Sequence, residues 1–439
     1  MGLGFSSQKS QIYFPATPAT VKVRRVRGSK ETTHSSLRKV IERRCPTLFE
    51  DFSPAWWLFN GHLQTLYCVA GEFSHIDKIK YDRTYLHLLD GGTLSEQFVA
   101  FDEMKLTFSS DRMIRLSLSL SLSWMEESGY EAYIRAILAP ACSSVEKGGL
   151  GYRGVVVNIR GCAGVPVHGG PTDDLRQALL YISHRYPSAP LIGLGFSLGA
   201  NIVLRYLAEE KELSRLSTAC ILSCPWHLKI HSKITVANLL GPYGYVSARG
   251  IHDSLVRFLT IHFVPTFTQA PFHEALMTAT VSRESTTLTQ FHYHATRTPN
   301  SSVPQAYDFA TVKDDATWAS SLADVRIPLL TLNAKDDPVA YTTPHGVANE
   351  NICMVITPGG GHLGWFESWN TRWVTRPVLQ WCKMIVEDFV LERMHGRETY
   401  IAEGGFLKEV GQDHIGCMEI EGGLEGMIVG MTPEEFSFE

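Results

Sequence analysis

From about residue 154 onward, short aliphatic and β-branched runs alternate with segments whose apolar positions recur at helical spacing. The runs at 154–159, 191–196, 218–223, 328–333 and 352–357 are almost continuously apolar, as strands are when both of their faces are covered. Helical periodicity falls at 173–186, 201–210 and 376–391. That alternation predicts an α/β fold with a mostly parallel central sheet flanked by helices on both faces. Between about 225 and 324 the rhythm breaks into Pro, His, Thr and aromatic residues without a clear strand, which predicts an inserted cap.

The two ends read differently. Residues 1–45 are basic and Ser/Thr-rich, so a flexible extension is expected there, with the folded domain over 46–394. After it comes a tail at 395–439, Gly- and Glu-rich through Gly404, Gly405, Gly422, Gly423, Glu434 and Glu435, expected to pack loosely. One internal run stands apart: from Leu116 to Ser123 leucine and serine alternate without a break. This describes a strand with one apolar and one polar face. It also matches what a repeated thymine-cytosine dinucleotide encodes, so residues 104–128 carry a second reading as a microsatellite or retained intron. A spliced transcript lacking the repeat supports that origin, and a transcript carrying it as written rules it out.

Composition narrows the classes of function. With 439 residues, 44% hydrophobic and 19% charged, the chain can bury a large core. A net charge of -5 offers no general attraction for nucleic acid. Nine cysteines without CxxC or His-Cys spacing point to a reducing compartment and to no metal site. No run approaches the ~18 to 20 apolar residues of a membrane span, and no signal-type core opens the chain. An intracellular protein is expected, cytoplasmic or peripheral on a membrane or lipid surface. Peripheral contact would use the basic N-terminus: Met1-Gly-Leu-Gly-Phe-Ser6 fits the myristoylation pattern, and Lys22, Arg24, Arg25, Arg27, Lys30, Arg38, Lys39, Arg43 and Arg44 would supply the polybasic partner that one acyl chain needs.

Three segments carry chemistry. The first, Gly195-Phe-Ser197-Leu-Gly199, leads from an apolar run directly into a helical one. Such a turn strains the serine and brings backbone close enough that flanking side chains would clash, which makes Ser197 a candidate nucleophile. A nucleophilic serine needs a base, and the base needs an acid to fix its tautomer. Asp336-Asp337-Pro338 follows the run at 328–333, and His362 follows the run at 352–357 within Gly359-Gly-Gly-His-Leu-Gly364. Both fall just past the C-terminal end of a strand, where α/β sheets gather reacting groups, and the order Ser, Asp, His is that of the α/β-hydrolase fold. Asp337 is chosen as the acid because it directly precedes Pro338-Val339, leaving Asp336 a turn or capping role.

The chain resembles the AB hydrolase 4 (YheT-like) family of the AB hydrolase superfamily, which includes fungal medium-chain fatty acid ethyl ester synthase/esterases. The resemblance spans about 45–392 and rests on Asn60-Gly-His-Leu-Gln-Thr65, Asp90-Gly-Gly92, Arg160-Gly-Cys-Ala-Gly164, Gly195 to Asn201, Asn333 to Pro338 and Gly360 to Gly364. It implies acyl transfer through Ser197, Asp337 and His362 without a cofactor. The substrates would be medium-chain acyl esters or acyl-CoA, with water or an alcohol as acceptor. Asn60–Thr65 and Arg160–Gly164 read as turn and capping structure and stay outside the catalytic set.

The resemblance fails at one functional point. An oxyanion hole needs the N–H after the nucleophile, here Leu198, and a second N–H from the loop after an earlier strand. Relatives supply the second from a His-Gly-Leu-Thr-Gly type segment, whose place here is Ser123-Trp124-Met125-Glu126-Glu127. Met125 is the candidate donor, but Glu126 and Glu127 bring charge of the wrong sign. The stretch Gly164–Pro171 is also shorter than in relatives. A second reading follows, that of a catalytically impaired binding or scaffold protein which keeps the fold.

Overall fold

A computed structural model describes residues 9–25, 31–73, 75–89, 91–99, 116–120, 131–159, 171–226, 322–340, 343–391 and 396–420. In chain order, β1 (Gln11–Tyr13), β2 (Thr20–Arg24) and β3 (Thr32–Ser36) lead to α1 (Leu37–Arg44) and α2 (Gly61–Ala70). Next come β4 (Tyr81–Leu88), β5 (Thr93–Val99), β6 (Leu116–Leu120), α3 (Ala132–Cys142), β7 (Val155–Asn158) and α4 (Pro171–Arg185). The site-bearing half holds β8 (Leu191–Phe196), α5 (Leu198–Glu210), β9 (Leu216–Leu222), β10 (Leu329–Ala334), β11 (Ile352–Thr357) and α6 (Thr375–Asp388). β12 (Thr399–Ile401), β13 (Leu407–Glu409) and β14 (Gln412–Ile420) follow.

Twelve of the described strands form one sheet in the order β1-β11-β10-β9-β8-β6-β7-β5-β4-β14-β13-β12, and β2 and β3 pair separately. Its centre, from β11 to β7, is parallel. Antiparallel strands complete both sides, with β1 on β11 and with β5, β4 and β14 beyond β7. The apolar runs explain the centre: every residue of β8, β9, β10 and β11 is buried, because helices cover both faces. α4 and α5 pack one face with Leu175, Leu179, Val203 and Leu207. α1, α3 and α6 pack the other with Ile41, Ile137, Trp381 and Ile385. Topology and helix placement are those of an α/β hydrolase.

Within the Leu–Ser run, Leu116–Leu120 form a strand. As β6 it lies between β7 and β8, with Leu118 opposite Val155 on one side and Gly193 on the other. The rest of 104–128 lies outside the described residues, as do 1–8 with the acylation pattern and nearly all of the expected cap.

Both ends differ from expectation. Residues 11–24 and 31–44 are folded rather than a flexible extension: β1 adds an edge strand to β11, β2 and β3 form a hairpin, and Val23, Leu37, Val40 and Ile41 are buried. The arginines that suggested a solvated arm have partners in the fold. Arg24 donates to Phe389 O at 2.6 Å and Glu387 O at 3.3 Å, satisfying carbonyls left open at the end of α6. Arg43 and Arg44 pair with Asp388 and Glu387, and Arg38 pairs with Glu42. These side chains are therefore committed, and the polybasic surface shrinks accordingly.

At the other end, β12–β14 extend the sheet past β4, and Leu407, Ile415 and Cys417 enter the core. Ionic groups lock this unit in place. Glu409 receives Arg215 at 2.6 Å, and Arg215 also donates to Arg397 O at 3.0 Å. Gly and Glu content hid strands whose registration depends on partners far back in the chain. Residues 421–439 lie outside the described set.

One core group carries a pH consequence. Glu96 on β5 is fully buried, and neither carboxylate oxygen has a hydrogen-bond partner among the described residues. Burial, opposed by Arg185 and reinforced by Glu419, pushes this carboxyl well above the usual range. An acid held neutral in the fold stabilises fully below the unfolded value of about 4.3, and that contribution is lost as pH rises toward the folded value. Glu96→Gln should therefore gain on the wild type by up to ~1.4 kcal/mol per pH unit across that window. Urea midpoints of both proteins at pH 5 and pH 8 check this; a gap that does not widen with pH contradicts it.

Candidate active site

Ser197 sits between β8 and α5 with φ 51° and ψ -124°, a strained conformation for a residue with a side chain. Its N–H donates to Leu222 O at 3.0 Å, which fixes the turn to β9. Gly195 permits the turn, since a Cβ there would lie 2.7 Å from Ala200 Cα. The helix begins at Leu198, three residues earlier than the periodicity predicts, because its first turn is glycine and alanine rather than an amphipathic face.

The three residues singled out in the sequence meet at the C-terminal ends of β8, β10 and β11. His362 Nε2 lies 2.9 Å from Ser197 Oγ. His362 Nδ1 lies 2.9 Å from Asp337 Oδ2 and 3.1 Å from Oδ1. Asp337 is buried, and its Oδ1 also accepts the N–H groups of Val339 at 2.8 Å and Ala340 at 2.7 Å. Burial alone would raise its carboxyl, but the charge and hydrogen bond of His362 and the two N–H groups outweigh it and hold the carboxyl below the usual value. Its stabilising contribution is present above the ordinary value of about 3.9 and is lost on acidification through the lower folded value. An ionised Asp337 can only accept, so a neutral His362 carries its proton on Nδ1 and turns the Nε2 lone pair toward the serine hydroxyl.

Asp336 does a different job, close to the capping role expected of it. Its Oδ1 accepts the Gly361 N–H at 2.9 Å, one residue before His362. Burial, opposed by that N–H and reinforced by the charge of Asp337, keeps its carboxyl above the usual value.

The residues missed as functional are those of Asn60–Thr65. Asn60 caps α2 by accepting the Leu63 N–H at 3.0 Å. Gln64 is buried and ties Phe366 on both sides, accepting its N–H at 2.7 Å and donating to its carbonyl at 3.1 Å. Thr65 Oγ1 donates to Gly61 O at 2.7 Å and accepts the N–H of His362 at 2.8 Å. The fit is close enough that a Cβ on Gly361 would lie 2.3 Å from Gly61 O. α2 is thus the brace of the histidine loop. The compact motif was a visible signal, but nothing local says that its partner lies 297 residues away.

Thr65→Val keeps the shape of the side chain and removes the acceptor of the His362 N–H. Sub-ångström freedom in the His362 backbone should lower kcat on a soluble ester about 10- to 100-fold with little change in KM or melting temperature. Unchanged kcat would remove Thr65 from the positioning set.

Of the oxyanion donors, Leu198 is the first residue of α5, so its N–H lacks an acceptor within the helix and lies at the positive end of the helix dipole. Met125, Glu126, Glu127 and Arg160–Gly164 lie outside the described residues. Among the described residues no helix is long and apolar enough to cross a membrane.

A family model described as "Serine aminopeptidase, S33" matches residues 165–367. The monoacylglycerol lipase of Saccharomyces cerevisiae is 23% identical over 82% of this chain and 87% of its own length. Human phospholipase ABHD3 is 25% identical over 84% of this chain and 85% of its own. Medium-chain fatty acid ethyl ester synthase/esterase 2 of the same yeast is 24% identical over 74% and 83%. Among solved structures, a Pyrococcus furiosus esterase aligns with TM-score 0.40 and 14% identity, covering 65% of this chain and 84% of the esterase.

Proposed function

We propose that the chain is a serine ester hydrolase of the α/β-hydrolase superfamily acting on lipid esters, with Ser197 as nucleophile, His362 as base and Asp337 as the acid that orients it. The observation that carries this reading is the hydrogen-bonded relay from Ser197 Oγ through His362 to Asp337, mounted on a strained strand-to-helix turn.

The geometry supports a two-step reaction. Ser197 Oγ attacks the ester carbonyl while its proton passes to His362 Nε2, and the imidazolium so formed is stabilised by buried Asp337. The Leu198 N–H receives the developing oxyanion, and Met125 is the proposed second donor. The leaving alcohol takes the proton from Nε2 as the tetrahedral intermediate collapses to acyl-Ser197. His362 then activates the incoming hydroxyl, which attacks the acyl group and frees the serine. Water gives hydrolysis and an alcohol gives transesterification, so one site serves both acceptors.

Medium-chain preference, acyl-CoA as a donor and alcohol as an acceptor are proposed on the resemblance and on the likeness to the yeast ester synthase/esterase. A panel of p-nitrophenyl esters and acyl-CoA thioesters from acetyl to dodecanoyl, with and without ethanol, tests them. The expected result is a maximum at intermediate chain length and an ethyl ester product that grows with ethanol. A rate falling monotonically from acetyl, or no ethyl ester at any ethanol level, overturns the finer proposal and leaves ester hydrolysis standing.

A further inference from the structure

From Phe52 to Gly71 the sequence contains no Asp, Glu, Lys or Arg over 20 consecutive residues, in a chain where 19% of residues are charged. A charge-free stretch of this length is ordinarily core, but this one is largely on the surface. Trp56 is 84% exposed, Val69 81%, Trp369 64% and Leu66 47%. Leu66 and Val69 lie one turn apart on the outer face of α2, whose inner face, through Gly61, Gln64 and Thr65, braces the histidine loop. Trp369 lies on that same loop, seven residues after His362. It stacks on Trp57 with ring centroids 4.2 Å apart and accepts the Tyr67 hydroxyl through its carbonyl at 2.9 Å.

We infer that the outer face of α2 with Trp56 and Trp369 docks the enzyme on the surface of a neutral lipid bilayer, beside the site that takes its ester substrate from that bilayer. Two features favour this occupant. The first is charge: a zwitterionic interface offers no net charge to match, and the face offers none. The second is residue type, since tryptophan favours the boundary between hydrocarbon and headgroups, while Leu and Val supply apolar area that water disfavours. The face is also continuous with the candidate active site through α2 and the 357–375 loop, so docking would hold the site against the phase that contains the substrate. The substrate half of this inference rests on the proposed lipid-ester function; the docking half does not require turnover.

The inference departs from attachment by the basic N-terminus. Electrostatic attachment needs anionic lipid and weakens with salt. Docking through α2 should work on phosphatidylcholine alone and survive 0.5 M NaCl.

The test uses the full chain made in bacteria, where Gly2 is not acylated, with phosphatidylcholine vesicles in a flotation assay and a soluble acetyl ester as an independent activity readout. Wild type should float with the vesicles at low and high salt, with a blue shift of tryptophan emission. Trp56→Asp/Val69→Asp changes two positions outside the catalytic machinery. It should reduce vesicle partitioning at least about 10-fold while hydrolysing the soluble ester at the wild-type rate. Failure of wild type to float, flotation that requires anionic lipid and disappears in salt, or undiminished flotation of the double variant overturns the inference. So does a concentration-dependent dimer abolished by the double substitution, which would make the face a contact between two copies. Flotation without hydrolysis of any ester would instead sink the proposed function and leave docking intact.

Discussion

Ser197→Ala is expected to lower kcat for ester hydrolysis by roughly 10⁶-fold, the scale on which removing the nucleophile of a serine triad operates. The size of the effect follows from the chemistry: without Oγ there is no acyl-enzyme, and His362 can do no more than assist water at a site shaped for a covalent intermediate. What survives should be the small acceleration from substrate binding and the Leu198 N–H. The substitution removes one oxygen and leaves Gly195 and the backbone bond to Leu222 in place, so the fold should persist. Steady-state kinetics on a soluble ester, with circular dichroism of the same sample, checks this. Retention of even one per cent of the wild-type rate by a folded variant would mean that another group performs the attack.

Asp337→Asn should be the next most damaging change, lowering kcat by about 10⁴-fold at neutral pH. An asparagine is nearly isosteric, but its amide can turn either a donor or an acceptor toward His362 Nδ1. The N–H groups of Val339 and Ala340, at 2.8 and 2.7 Å, already claim an acceptor oxygen in this pocket. The amide NH₂ is therefore turned toward Nδ1, which then accepts, and the proton moves to Nε2, where it can no longer receive the serine proton. The buried carboxylate that stabilises the imidazolium is lost as well. Asp336→Asn provides the contrast. It acts through backbone N–H groups, those of Gly361 and Gly61 among them, and leaves both the tautomer and the charge in place, so its loss should be far smaller. Equal losses from the two substitutions would contradict the assignment of Asp337 as the acid.

The parts of this architecture that were legible in the sequence are those governed by short-range rules. Continuous apolar runs gave β8, β10 and β11 to within a residue or so, because a strand covered on both faces tolerates little else. The meeting of Ser197, Asp337 and His362 was legible because each follows such a run. The β6 strand was harder, since serine at alternate positions mimics a half-exposed strand while the register places it at the centre of the sheet. The ends were misread for a different reason. Composition treats Arg24, Arg44 and Glu409 as solvated charges, but their partners, the end of α6 and Arg215, lie far away in the chain and become neighbours only on folding. Thr65 is the same case at the site itself: its value comes from one hydrogen bond to the His362 backbone, across a separation that no local pattern encodes.

Ser197 is proposed to be a working nucleophile and not the remnant of one. The absence of a His-Gly-Leu-Thr-Gly type segment at Ser123–Glu127 makes this the point to measure. Treatment of the folded protein with a fluorophosphonate, followed by peptide mass spectrometry, tests it without any assumption about substrate. Stoichiometric phosphonylation of the peptide containing Ser197 is expected, abolished by Ser197→Ala and strongly slowed by Asp337→Asn. An unlabelled Ser197 in folded protein, or an adduct on another serine that persists in Ser197→Ala, would contradict it.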